Sequence, residues 1–499
     1  DPKAAFATGF LKVTPAHDEN DWAIGLRHGL QVINVMAPDA SISKDHGWTD
    51  VREAGKFVGL SREDARREVV KAFKAATVPG TELSLMDRVS PYRHSVGHSY
   101  RSHVPIEPYL SDQWYLKVTD EKLVGWAQEA VHSKRLSIYP ERYEKTYTTW
   151  HENLRDWCIS RQLWWGHRIP VWRGRVTSPE AHERIKAWKA EGRLWEHVAH
   201  RGGSLATLTR DELEEGNYFI CVRSADDQEV MAFCDAQGME QDPDVLDTWF
   251  SSGLWPLSTM GWPDAQLAAK ESGIADFPGL LEAFNPTDVL CTAREIITLW
   301  VSRMVMFNRY FRSPDGGATP GPVPYRDVFI HAMIQDGEGR KMSKSLGNGV
   351  DPLDIIHSHG TDAMRFVLCQ MTTQTQDVRM PVVRDEATGR NTSPKFDIGR
   401  NFCTKLWNAA RFALSNLEQC PAPDGTPIGR AELGAADRWM LSRLEATVRA
   451  AEDALRDYQF SAYATALYDL LWRDYCDWYL EAVKPTLKSN RAQQAVVRT

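Results

Sequence analysis

Apolar residues recur with changing period along the chain, and the period predicts the elements. Residues 1–60 alternate short apolar runs with turns: FATGFLKVTPAHD, then LQVINVM, then a stretch rich in Gly and Asp. Such runs between turn residues predict strands. From Ser61 to about Ala76 the spacing turns helical, with Ser61 as N-cap and acids in the first turn. Residues 81–118 return to short strands that end in QWYLKV. Helices are predicted at about 120–133 and 179–191, the second capped by Ser178 with Pro179 at its first position. From Val289 onward Ile296, Trp300, Met304 and Phe307 recur at helical spacing. Residues 313–325 are a Gly/Pro loop, DVFIHAMI (327–334) reads as a short buried strand, and a helix follows near 352–358. Strand and helix alternate here, as in a parallel α/β layer. Beyond about 397 the pattern is all helical, with 421–429 (PAPDGTPIG) as a linker, and Tyr463, Leu467, Leu470, Leu471, Asp474 and Trp478 on one mainly apolar face.

Composition narrows the class. The chain has 499 residues, 42% apolar and 25% charged, which excludes a disordered chain, a collagen or a coiled-coil rod. At ~100–200 residues per domain it holds roughly three or four domains. No apolar run approaches ~20 residues, so no transmembrane helix is expected. Nor does the start, Asp1-Pro2-Lys3, show the apolar core of a secretion signal. Basic residues number 59 and acidic residues 67, a net charge of −8. Any polyanion must therefore be met by local basic surfaces. The 8 Cys are scattered without a CxxC pair, which reads as a reduced, intracellular, cytoplasmic protein.

The sharpest chemical signal is Lys341-Met342-Ser343-Lys344-Ser345, preceded by Asp336-Gly337-Glu338-Gly339-Arg340. Two lysines three apart on a Gly-flanked loop can close over a polyphosphate and neutralise charge building on a departing pyrophosphate. The loop is not a Walker loop, because no GxxxxGK[ST] occurs. The plain alternative is a solvated basic turn. In the helical region Arg400, Lys405, Trp407 and Arg411 interleave basic and aromatic groups, as a phosphate-binding face or a solvated one would.

KMSKS is the second signature of the class I aminoacyl-tRNA synthetases, and the chain resembles the valyl-tRNA synthetase family of that class. The resemblance is carried by KVTPAHDEND (12–21), RHSVGHSY (93–100), WCISRQLWWGHRIPVW (157–172), DPDVLDTWFSSGLWP (242–256), RKMSKSLGN (340–348), DPLDII (351–356), NFCTKLWNAARF (401–412) and LLWRDYCDWYLEAVKP (470–485). DTWFSS alone also fits the isoleucyl relatives; WWGHRIP, TPAHDxND and CDWYLE tilt the choice to valine.

The resemblance implies a multidomain α/β chain. Its expected parts are a partial, β-rich editing domain at 1–115, a connecting segment at 116–240 and the second half of a Rossmann-type catalytic domain at 241–345. A stem-contact helical region at 346–420 and the start of an α-helical anticodon-binding domain at 430–499 follow. The implied activity joins valine to ATP and moves the valyl group to tRNA(Val). Lys341 and Lys344 are the implied catalytic pair on the leaving pyrophosphate, with Ser343 in the same ATP-binding loop. His331 matches the segment beside the adenine, although a satisfied buried imidazole is an equal reading. Trp249, Ile296 and Trp300 match the amino-acid pocket. Glu295 stands where the family usually has Asp, and Ala293 where it usually has Gly. ATP is expected with Mg²⁺, which would arrive with the nucleotide.

Valyl enzymes are known to discriminate against near-isosteric threonine by only ~10²-fold, so the family adds hydrolytic editing. Lys12, Thr14, Asp18 and Asp21 match its signature, Asp21 being the expected partner of the threonyl ammonium. A capped turn is the plain alternative. Arg400, Lys405 and Arg411 are implied tRNA contacts. No structural zinc is expected. Ser99-Tyr100-Arg101-Ser102 replaces a CxxC of many relatives, His94, His98 and His103 lack thiolate partners, and Cys221 and Cys234 lie 13 apart without a second pair.

The HIGH signature of the class is absent; HSVGH (94–98) and HSHG (357–360) do not stand in its strand–turn context. The chain is therefore expected to be an internal portion of a longer protein, with an exposed sheet edge and no valine activation or fully cooperative folding by itself. An isoleucyl-tRNA synthetase, and a non-catalytic tRNA-binding or editing protein, are the rival readings.

Overall fold

The computed structural model describes residues 10–499 apart from 92, 100, 101, 200–216, 344, 345, 375, 376, 387, 419 and 422–425. The chain divides into two compact units, 1–114 and 115–499. In the first unit the helix Glu19–His28 starts on Asp18, whose side chain accepts from the Asn20 and Asp21 N–H groups. A second helix, Arg62–Ala75, is capped by Ser61 as the sequence predicts. The expected β-rich character is not found among the described residues: pairing is limited to isolated bridges such as Met36↔Ile42 and Thr77↔Ser84. Val89, Val104 and Ile106 stay exposed. Without a buried face nothing fixes a strand register there.

The second unit is built on three parallel strands in the order Thr287–Ala293, Tyr325–His331, Ser137–Tyr139. The central strand buries Val328, Phe329 and Ile330 in succession, as a strand covered on both faces must. Thr287–Ala293 lies at the sheet edge, with Val289 44% exposed. The chain crosses from it to the central strand through a turn at Arg294–Ile296, a π-helical turn at Ile297–Val301 and the helix Ser302–Phe311. The regular helical spacing read from Ile296 to Phe307 is thus interrupted by a wider turn that contains Trp300. Met304, Val305 and Phe307 of this segment pack with Ile138, Tyr147 and Val328 into one core.

A separate four-stranded antiparallel sheet runs Leu194–Ala199, Asn217–Val222, Val171–Arg175, Glu240–Gln241. Helices Pro179–Ala190 and Gln228–Ala236 bury Ile185, Trp188 and Val230 against Ile220. The helical region holds Phe396–Leu417, Ala435–Arg456, Phe460–Tyr468 and a π-helical stretch Asp469–Leu480. Asp474, on the mainly apolar face of that stretch, is buried and meets Arg443 Nε at 2.7 Å and Arg473 Nε at 2.9 Å. Tyr458 joins this region to the sheet, its hydroxyl donating to Asp327 Oδ2 at 2.7 Å and its ring stacking on Phe329.

Two predictions follow from close contacts. An added Cβ on Gly399 would lie 2.5 Å from Ala363 O. Alanine gains about 1 kcal/mol of helix propensity, but overpacking against a backbone carbonyl costs about 1–3 kcal/mol. Gly399→Ala should therefore lower the denaturant midpoint. His151 is buried, with Nδ1 at 2.7 Å from Tyr147 O and Nε2 at 3.0 Å from Ser302 Oγ. Burial lowers its pKa to about 4. The unfolded chain then binds the extra proton first, so stability is full above pH ~6.5 and falls as pH drops toward the folded value. Between pH 6.5 and 4.5 the native chain should lose about 2 kcal/mol more than His151→Gln, read by urea unfolding at each pH.

Candidate functional site

The three parallel strands end together at Tyr139, Ala293 and His331, and in open α/β sheets ligands bind at that edge. From His331 the chain continues into Ile334–Gln335, which pairs with Val378–Arg379, and then into the lysine loop. The loop is a bracket built on Asp336. This buried carboxylate accepts from the Glu338 N–H at 3.0 Å, the Arg340 N–H at 2.9 Å, Arg340 Nε at 2.9 Å and Asn348 Nδ2 at 2.8 Å. Asn348 also accepts from the Ser343 N–H at 2.9 Å and donates to Lys341 O at 3.3 Å. On the far side Asn391 Nδ2 donates to Gly347 O at 3.1 Å and Gly349 O at 2.8 Å. The Asn348 side chain, then the Arg340 N–H, hold the Asp336 carboxyl well below the usual carboxylate range.

The result is a loop pinned at both ends with its cation outward. Lys341 is exposed, its backbone is bridged to Gln335, and its ammonium has no ion pair among the described residues. Met342 packs against the cluster of Ile355, Val367, Met380 and Phe396, anchoring the middle of the motif. Lys344 lies outside the described residues. His331 is half-buried at the end of the central strand, paired with Ala293, its Nδ1 3.0 Å from Ala332 O.

Trp249 and Trp300 come from different elements that meet directly. Trp249 sits in the helix Thr248–Gly253, and Trp300 Nε1 donates to Ser252 O of that helix at 2.9 Å. Both indoles are half-buried against the core of the sheet. Ile296 is half-buried and Glu295 exposed in the turn after the edge strand. Sequence reasoning missed Asp247. It is buried, accepts from the Trp249 N–H at 3.1 Å, Trp157 Nε1 at 2.9 Å and Arg161 Nη2 at 2.7 Å, and so ties WCISR to the Trp249 helix. Arg303 lies 3.7 Å from the Trp157 ring centroid, and burial lowers its pKa to about 10. An acid directly before a short Trp-containing helix is an N-cap signal that marks Asp247.

In the first unit, Thr14, Lys12 and Asp21 come together. Asp21 Oδ2 accepts from the Thr14 N–H at 2.8 Å and from Thr14 Oγ1 at 3.2 Å, and Lys12 Nζ donates to Thr14 Oγ1 at 3.2 Å. Asp18 turns its carboxylate to the helix N-terminus, where it accepts from the Asn20 and Asp21 N–H groups. On the helix Phe396–Leu417, Arg400, Trp407 and Arg411 are spaced by about two and three turns and share an exposed face. Arg400 is paired with Asp397 at 2.6 Å. Lys405 faces elsewhere, 2.5 Å from Asp477 and 4.0 Å from the Trp472 ring centroid. Among the described residues no group of three or more His, Cys, Asp or Glu gathers to hold a metal, and no helix is long and apolar enough to cross a membrane.

Asp336→Asn should free the loop without unfolding the chain, since the amide cannot accept from every donor that the carboxylate serves. One lost charge-assisted bond predicts about tenfold faster trypsin cleavage after Arg340 or Lys341 at pH 7. Because the folded carboxyl titrates low, the native loop's protection should stay flat from pH 8 to 5 and fall only below the unfolded value near pH ~4.

Residues 17–381 match the family described as tRNA synthetases class I (I, L, M and V), and residues 437–499 match the anticodon-binding domain of tRNA ligase. The chain is 39% identical to a valine–tRNA ligase of Rhodopirellula baltica, over 99% of this chain and 48% of that protein. It is 42% identical to a valine–tRNA ligase of Parasynechococcus marenigrum, over 97% and 45% respectively. Among solved structures, Mycobacterium tuberculosis methionyl-tRNA synthetase in complex with methionyl-adenylate is similar at a TM-score of 0.48 and 18% identity, over 81% of this chain and 60% of that one. The chain spans about half the length of the curated relatives it matches.

Proposed function

On the premise that the chain belongs to the class I tRNA synthetases of the I, L, M and V group, we propose that it carries the pyrophosphate side of a valine–tRNA ligase active site, an editing segment and a tRNA-binding helical region. The observation that carries the reading is the Asp336–Asn348 bracket, which presents Lys341 beside the carboxyl end of a parallel sheet. In the proposed reaction the valine carboxylate attacks the α-phosphorus of ATP, the bond to the bridging oxygen breaks, and pyrophosphate leaves in line. Lys341 and Lys344 meet the negative charge on the departing group, which is where a preorganised cation contributes most. Mg²⁺ enters with ATP as part of the substrate.

Trp249, Trp300 and Ile296 would enclose the isopropyl group, and Glu295 would take the ammonium or a ribose hydroxyl. His331 would lie at the adenine. A ribose hydroxyl of the terminal adenosine of tRNA(Val), held by the exposed Arg400–Arg411 face, then attacks the carbonyl of the valyl adenylate, the anhydride bond breaks and AMP leaves. Lys405 is the weakest of the tRNA candidates, because its charge is already matched by Asp477. For editing, Lys12, Thr14 and Asp21 would bind threonyl ester and ammonium, with water as nucleophile. Asp18 would act only through the helix it caps.

The test is ATP–pyrophosphate exchange in a polypeptide of the relatives' length that contains this chain. Valine should drive exchange far better than isoleucine, and Lys341→Ala should lower its kcat about 10²-fold or more, with KM for valine little changed. Exchange driven by isoleucine, or indifferent to the lysine, overturns the proposal.

A further inference from the structure

All three parallel strands are followed by a segment that touches one short piece of chain. After Tyr139, Arg142 Nη1 donates to Gln374 O. After Ala293, Arg294 Nη2 meets Asp377 Oδ2 at 2.8 Å. After His331, the Met333 N–H donates to Asp377 Oδ1 at 3.2 Å and Gln335 Nε2 to Asp377 Oδ2 at 3.1 Å. Backbone pairing reinforces the last contact, with the Val378 N–H donating to Met333 O and the Met380 N–H to Gln335 O, both at 2.8 Å. Gln374 Nε2 in turn reaches Asp457 O of the helical region at 2.9 Å.

We propose that Asp377 is a positioning residue that holds the lysine loop in register with the amino-acid side of the site. Its carboxylate is the one group in this set that grips both sides. Arg294 directly precedes Glu295 and Ile296, so its guanidinium reports where that turn stands. Met333 and Gln335 are the stem of the loop, and Gln335 is bridged to Lys341. The Asp377 side chain is 16% exposed and that of Arg294 43%, so solvent screens the pair in part and its contribution is to placement. Asparagine keeps the shape but not the function. Whichever way its amide turns, one NH₂ faces either Arg294 or the Met333 N–H, and that contact is lost. The stem at Met333–Gln335 then loses a partner, and local opening of stem and loop together becomes more frequent. The meaning of this placement for catalysis rests on the proposed role of Lys341; the mechanical link does not.

Amide hydrogen exchange on the 499-residue chain tests the link without activity. Asp377→Asn and Arg294→Met should each speed exchange in peptides covering 333–343 about tenfold, with the double variant no faster than Asp377→Asn alone. Arg294→Lys should restore most of the protection. Unchanged exchange, or effects of the two substitutions that multiply independently, overturns the positioning role. In a polypeptide of the relatives' length, Asp377→Asn should lower kcat for valine-dependent exchange about tenfold, leaving KM for valine within about threefold. A matched fall through KM alone overturns it. If no valine-dependent exchange occurs with the native residue while amide exchange remains coupled, the activity reading falls and the positioning role stands.

Discussion

A carboxylate buried under four donors governs the geometry of the site. Asp336 has more partners than any turn needs, and they come from both ends of the lysine loop. A charge-carrying loop faces a conflict. An ammonium such as that of Lys341 has to stand in solvent if it is to meet a polyanion, and solvent-exposed chain wanders. Asp336 resolves the conflict by neutralising Arg340 and collecting backbone N–H groups below the loop, so that order is supplied from beneath and Lys341 stays uncommitted. Met342 adds an apolar foot in a different cluster, which leaves the loop few ways to tilt.

The rest of the second unit serves the same end. Parallel strands deliver Tyr139, Ala293 and His331 to one edge, and the crossover segment delivers the Trp300 indole to the neighbouring helix. Asp247 performs beneath Trp249 the task that Asp336 performs beneath Lys341. Each is a buried acid whose partners include an arginine and a backbone N–H, and each fixes the start of the segment that follows it. Charged groups are costly to bury unless several donors surround them, so such acids mark places where position is worth that cost.

Much of this was legible in the residues. Helix starts were read correctly where the signal was a local hydrogen bond, as at Ser61 and Ser178, because a cap depends on neighbours in sequence. The central strand was legible as an unbroken apolar run. What failed were features decided at a distance. The first unit's alternating runs looked like strands, but alternation makes a sheet only where one face is covered. Asp18 and Asp21 both matched the editing signature, whereas the helix N-terminus takes one and Thr14 takes the other. Lys405 read as a candidate phosphate contact, and its match, Asp477, lies 72 residues away in another helix. Asp377 went unread for the same reason, its partners Arg294 and Met333 being distant in sequence, whereas Asp247 does carry a local cap signal.

The wide turn at Ile297–Val301 also constrains how the chain can change. A π turn holds one residue more than an α turn in a single revolution, so it takes up an extra residue without displacing what lies before and after it. Removing one residue there would close the turn to ordinary winding and leave the edge strand and Ser302–Phe311 in place. The loss would fall on the turn itself, whose side chains would be redistributed round the axis and whose indole at Trp300 would leave Ser252. The widened turn thus concerns the aim of one side chain and not the span of the crossover.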